Sequence, residues 1–260
     1  MSMDTEATTQ SEVKEAPKKG LPKWASALIS LAIILSTVCV VLFTGILIYQ
    51  KRYLSPFWVN GQSMYPTLNQ YAVDANGNPL GVNGGASTVG CKYLDYGVMD
   101  PHKNALKKCK RFDIVVCKYD FNDQNDKIKR IVGLPGETIK FGQGENNGTL
   151  FVKNGDTFYA TEQPIENQYV VAGNYPVDEI TLKDDEYYVL GDNRAHSSDS
   201  RTNGPVKFEW LVGKVVCICA HCELKQNEDG SIEPINIVHH VPRFLWNKYT
   251  GFQATWKRLK

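Results

Sequence analysis

A mostly β domain carried on one N-terminal transmembrane helix is the fold class the sequence predicts. Residues Trp24 to Gln50 carry no charge, for longer than the about 20 residues a helix needs to cross a bilayer core. Downstream, short runs rich in Val, Ile, Tyr and Phe are broken by Gly, Asn and Asp, the pattern of strands and turns. Between residues 55 and 225 no apolar period near 3.6 is sustained. With 42% hydrophobic and 22% charged among 260 residues, the chain can fold around a core, which excludes a disordered or collagen-like protein. Lys plus Arg (29) nearly cancel Asp plus Glu (28), leaving +1, so the basic footprint of a nucleic-acid binder is missing.

The elements follow in order. Residues 1–23 are polar, contain no aromatic and read as a disordered cytoplasmic tail. Residues 24–50 read as an uncleaved anchor, because the apolar region of a cleaved secretory signal is only about 7–15 residues long. Lys18, Lys19 and Lys23 precede the span, and Lys51 and Arg52 follow it. These flanking charges decide orientation only weakly, while Trp24 and Tyr49 sit where interfacial aromatics are found. The β-rich domain, extracytoplasmic if the tail is inside, covers 55–225. Its strands are expected in RFDIVVCKY, ETIKFG, GTLFVKNGDTFYA and EYYVLGDN, with a hairpin at Asn154-Gly155 and a smaller β subdomain at about 139–185. The Gly- and Asn-rich stretch 74–90 reads as a surface loop. After Pro234, the apolar residues Val241, Phe244, Leu245, Tyr249, Phe252, Trp256 and Leu259 recur at spacings of three and four, among Arg243, Lys248, Lys257, Arg258 and Lys260. An amphipathic basic helix over 234–260 is the expectation, set for a membrane interface, the β domain or a partner.

Seven cysteines are present, and Cys39 falls within the span. Facing an oxidising side, Cys91 and Cys109 could pair across the loop, although spacing does not give connectivity. The run Cys217-Ile-Cys219-Ala-His221-Cys222 has a metal-like spacing but no second cluster to complete a zinc signature. It reads better as a buried strand or as disulfide partners.

Chemistry begins at Val59-Asn60-Gly61-Gln62-Ser63-Met64-Tyr65-Pro66-Thr67-Leu68. A serine between glycine and proline sits on a constrained backbone, which suits a nucleophile and suits any turn as well. A base must then be found. None of His102, His196, His221, His239 and His240 lies in a context that singles it out. His196, in the polar loop Gly191–Arg201, is the best of them, and a merely solvated histidine fits the same context. Lys129 offers the alternative, with Ile128 and Ile131 near it, because burial disfavours the ammonium and yields a neutral amine. Strand alternation puts Lys127, Lys129 and Ile131 on one face and Ile128, Arg130 and Val132 on the other. A solvated lysine would give the same pattern.

Three segments together decide more than any one of them. GxSMxPTL after an N-terminal anchor, then KRIVGLPGE, then GDNRxxSxDSR, closely resembles the bacterial type I signal peptidases, membrane-bound Ser-Lys proteases that remove signal peptides. Asp113-Ile114-Val115-Val116 resembles a strand motif between the serine and lysine segments. The resemblance spans roughly residues 24–222. It implies Ser63 as nucleophile and Lys129 as general base, with Ser197 hydrogen-bonding the lysine amine and Asp199 and Arg201 paired to brace the loop. Asp192 and Arg130 would be supports, and Met64 and Ile128 would line pockets for small side chains, or simply pack in the core. It implies cleavage after Ala-X-Ala-type sites through an acyl-enzyme, with no cofactor or metal. Secretory preproteins would be the substrate and membrane lipid the surroundings, with the N-terminus cytoplasmic at the plasma membrane. With Gly61 where some members carry a second serine, the oxyanion hole would rest on backbone N–H groups, as in Gram-positive-type members, and the source is expected to be prokaryotic. Two departures stand out: an insertion at about 71–110 and the tail after Pro234. A self-cleaving repressor-type Ser-Lys protease would lack the anchor and GDNRxxSxDSR. A catalytically silent, membrane-tethered β module that binds exported proteins is the rival from outside the enzymes.

Overall fold

The computed structural model describes residues 22–82, 88–120 and 125–244; the tail expected over 1–23 and the second half of the expected C-terminal helix lie almost wholly outside the described residues. Helix α1, Lys23–Tyr53, opens the chain. Its stretch Lys23–Ile48 is long and apolar enough to cross a membrane, and large side chains such as Leu31, Ile34, Leu42 and Phe43 are more than 60% exposed. A helix apolar on all sides suits a lipid environment. The helix as far as Tyr49 is one unit, and residues from 50 onward form another.

In the second unit, β1 (Ser55–Trp58), β2 (Leu94–Asp100), helix α2 (Lys103–Leu106), β3 (Ile114–Cys117) and β4 (Lys127–Gly133) precede a small sheet. That sheet contains β5 (Thr138–Phe141), β6 (Leu150–Asn154), β7 (Thr157–Thr161) and β8 (Ile180–Thr181), with helix α3 (Asn167–Val171) before β8. The chain then returns through β9 (Glu186–Leu190), helix α4 (Ser200–Asn203), β10 (Val206–Lys207), β11 (Leu211–Gln226) and β12 (Ile232–Phe244). The large sheet runs β1-β2-β11-β3-β4-β9-β10, with β12 added to β11; the small one runs β7-β6-β5-β8. β11 is long enough to serve three partners: β2 along one edge, and β3 then β12 in succession along the other.

Residues alternate faces along β3, and the core divides accordingly. Ile114 and Val116 join Phe57, Met64, Leu68 and Ile218 in one cluster. Val115 and Cys117 join Leu106, Ile131 and Val189 in another. A third, around Phe112, Ile139, Leu150 and Leu190, joins the small sheet to the large one.

One expectation is corrected here, and two open points gain structural detail. The helix expected over 234–260 is a strand as far as Phe244, antiparallel to β11 with Ile218 opposite Arg243 and Gln226 opposite Ile232. Backbone bonds from a long neighbouring strand outweigh local helical spacing, most of which lies beyond Phe244. The stretch expected as an insertion over 71–110 contains β2, an inner strand between β1 and β11. Cys91 and Cys109 are free thiols, because Cys91 packs with Ala72, Leu94 and Cys222 while Cys109 packs beside Val115 and Ile131. The Cys217–Cys222 run lies within β11. Among the described residues no group of three or more His, Cys, Asp and Glu side chains is placed to hold a metal ion.

Candidate active site

The Ser63 loop leaves β1 and turns sharply, with Tyr65 N–H donating to the Gln62 carbonyl and Leu68 N–H to the Met64 carbonyl. Gly61 adopts φ 108°, in the left-handed region that favours glycine. Met64 and Leu68 are fully buried and anchor the turn in the first core cluster. β4 brings Lys129 across, paired with Val115 of β3. Its Nζ lies 2.9 Å from Ser63 Oγ and 2.9 Å from the Ile128 carbonyl. Only 3% of Lys129 is exposed, and burial pushes its pKa below the ordinary lysine value, opposed by weaker attraction to Cys117, Asp199 and Asp192. The ammonium loses more hydration than its surroundings return, so the neutral amine is favoured.

Around this pair the expected supports fall as follows. Arg130 grips Asp192 with both arms, Nε to Oδ1 at 2.7 Å and Nη2 to Oδ2 at 2.5 Å, and donates Nη1 to the Phe112 carbonyl. Thr67 of the Ser63 loop donates its hydroxyl to the same carboxylate. Asp199 and Arg201 form a second fork, with Nε to Oδ1 and Nη2 to Oδ2 both at 2.8 Å. Asp199 Oδ2 also accepts the Gly191 N–H. Gly191 is required by space, since a Cβ there would overlap Ser197 and the Ser63 carbonyl.

Two placements differ from expectation. Ser197 does not hydrogen-bond Lys129: the amine's bonds go to Ser63 and Ile128, and the Ser197 hydroxyl is buried beside Gly191 without a partner. Met64 has no exposed surface with which to line a pocket, because its side chain fills the core under the loop; Ile128 is partly buried against the same cluster.

Sequence reasoning missed several tethers. Asn193 donates its N–H to the Ser63 carbonyl and its side-chain amide to the Gln62 and Val82 carbonyls. Its position directly after Asp192 in GDN was the available signal. Thr88 accepts from Gly61 N–H and bonds Asn60 Oδ1, so the loop after Tyr71 folds back onto the nucleophile segment. The Ser63 N–H meets no backbone acceptor among the described residues. His196 is exposed and its Nδ1 lies 3.2 Å from Asn193 Oδ1. His196→Ala should therefore keep at least about half of the parent kcat/KM, since exposed substitutions of this kind usually change little; a folded variant slowed by orders of magnitude would put the base on the imidazole.

Residues 28–220 match the family described as signal peptidase, peptidase S26. The chain belongs to this family, and it is a serine peptidase, a hydrolase of signal peptide processing. Signal peptidase I of Bacillus caldolyticus is 31% identical over 185 residues, 68% of this chain and 83% of that protein. Signal peptidase IB of Staphylococcus aureus is 29% identical over 209 residues, 76% of this chain and 88% of that protein. A crystal structure of a signal peptidase I from Enterococcus faecalis aligns with a TM-score of 0.32 at 27% identity, covering 41% of this chain and 96% of that one.

Proposed function

We propose that this protein removes N-terminal signal peptides from exported preproteins, cutting after small residues of the Ala-X-Ala kind, with Ser63 as nucleophile and Lys129 as general base. The observation that carries the reading is the 2.9 Å approach of a buried amine to a serine hydroxyl. Neutral Lys129 takes the Ser63 proton as Oγ attacks the scissile carbonyl carbon. The Ser63 N–H would donate to the developing oxyanion, a kind of interaction worth about 2.7–4 kcal/mol per donor. The lysine ammonium then protonates the leaving amine as the C–N bond breaks, leaving an ester on Ser63. Water attacks that ester while Lys129 takes its proton, and the proton returns to Ser63 Oγ as the ester bond breaks.

The other residues support this geometry. Ile128 O holds the amine from behind, and the unpartnered Ser197 hydroxyl is the polar group left to join it once substrate has excluded water. Asp192, Arg130, Asp199 and Arg201 keep the two loops in register. Pockets for the small side chains would draw on Ile128, with Met64 beneath them. The apolar helix would tether enzyme and substrate to the same lipid surface, with the N-terminus cytoplasmic and the catalytic unit outside at the plasma membrane. The decisive experiment offers the detergent-solubilised full chain a preprotein with an Ala-X-Ala site, beside folded Ser63→Ala and Lys129→Ala variants. Cleavage after the last alanine by the parent alone is the expected result. Inactivity of all three, beside a competent peptidase as control, would favour a silent binding module.

A further inference from the structure

We propose that Arg243, near the end of β12, is a positioning residue for the nucleophile. It lies beyond the family match, which ends at residue 220, yet it reaches the Ser63 loop. Its Nη1 donates to the Thr67 carbonyl at 3.0 Å and its Nη2 to Asp95 Oδ2 at 2.8 Å. Asp95 is 1% exposed. The same oxygen accepts the Asn69 N–H at 2.8 Å, and the Asp95 N–H donates to Asn69 Oδ1 at 2.7 Å. The Asn69 side-chain amide then donates to the Val59 and Gly61 carbonyls, both at 3.0 Å. One guanidinium is thus connected to both arms of the loop: Val59 and Gly61 before Ser63, Thr67 and Asn69 after it.

The chemistry of the connection favours a geometric role. A guanidinium is a planar fork whose donors keep fixed angles, so it sets the Thr67 carbonyl and the Asp95 carboxylate at one separation. Among the described residues His221 is the other basic group facing Asp95, at 3.5 Å, and its ring is tilted by 45° against that of His240, 4.6 Å between ring centres. Burial lowers the His221 pKa, which leaves Arg243 as the permanent cation on this carboxylate. The loop has its own apolar anchors in Met64 and Leu68, and β12 has its own backbone pairing to β11. Losing the guanidinium should therefore leave the fold standing and loosen the placement of Ser63 Oγ against Lys129. Misplacing reacting groups by about 1 Å can cost on the order of 10²-fold in rate.

This inference rests on the Ser63–Lys129 reading, and one set of assays separates the two. Preprotein cleavage by the full-length chain in detergent is measured for the parent, Ser63→Ala, Arg243→Ala, Arg243→Lys, Asn69→Ala and the Arg243→Ala/Asn69→Ala pair. Arg243→Ala is expected to lower kcat by about 10- to 100-fold with KM little changed, and to lower the thermal midpoint while leaving the protein folded at assay temperature, because Asp95 stays buried without its cation. Arg243→Lys should recover part of the loss, because an amine reaches one acceptor but cannot fork. The double variant should be no slower than the slower single variant, since both remove the same connection. Parent-like kcat in Arg243→Ala, or a loss that merely tracks the unfolded fraction, would overturn the proposal. An active Ser63→Ala would overturn the dyad whatever Arg243 does; an inactive Ser63→Ala beside a parent-like Arg243→Ala would overturn the Arg243 role alone.

Discussion

Lys129→Met should abolish cleavage, by about 10³-fold or more, while raising the thermal midpoint at neutral pH. Both effects come from the same burial. The amine is 3% exposed, and in the folded state it holds its proton less tightly than an ordinary lysine does. The unfolded chain, where lysine titrates near about 10.4, therefore binds more protons across the window between the two values. Stability rises with pH through that window and is lowest below it. A methionine of similar length carries no charge to desolvate, so the penalty disappears; each kcal/mol of relief raises the midpoint by about 2–4 °C in a domain of this size. The parent's activity should follow the same titration in the useful direction. It is low where the amine is protonated and rises as the proton leaves, with a midpoint below that of an exposed lysine. Calorimetry of the two proteins and a pH profile of kcat/KM test this together, and a profile flat into acid would remove lysine as the base.

Asp192→Ala should cost about 3–5 kcal/mol of folding free energy, the range for stripping one partner from a buried ion pair. The side chains of Arg130 and Asp192 are 5% and 0% exposed, so the guanidinium left behind cannot regain water. Thr67 would lose its acceptor as well, loosening the nucleophile loop at a second point. Replacing both partners with apolar residues, Arg130→Met with Asp192→Leu, should restore most of the stability but not the loop geometry. Denaturant unfolding of the single and double variants measures this. A single-variant loss below about 1 kcal/mol, the scale of exposed pairs, would mean that the pair is solvated.

How much of this was legible in the sequence depends on how local each signal is. The anchor helix was readable because a charge-free run needs no partner to be recognised. The serine, lysine and GDN segments were readable only together, through their resemblance to a family, since a lone serine in a turn or a lone lysine on a strand has a structural explanation as well. β2, which contains Gly97, lies inside the stretch expected as an insertion. The glycine is there because a Cβ would overlap the Cys217 carbonyl and the Phe57 ring, a demand made by a strand more than a hundred residues downstream. β12 was mistaken for helix for the same reason, since what makes it extended is β11. The Asn69–Asp95–Arg243 connection joins three distant segments, so no window along the chain contains it.

The shared strand β11 also bears on when the enzyme can begin to work. Ser63 follows β1 and Lys129 lies on β4, and among the described residues the strand joining those two halves in the order β1-β2-β11-β3-β4 is β11. During synthesis Ser63 and Lys129 are both made before residues 211–226. Pairings of such long sequence separation form late and slowly. On the proposed reading, a chain that stops before β11 holds both side chains but not the strand that joins their halves of the sheet.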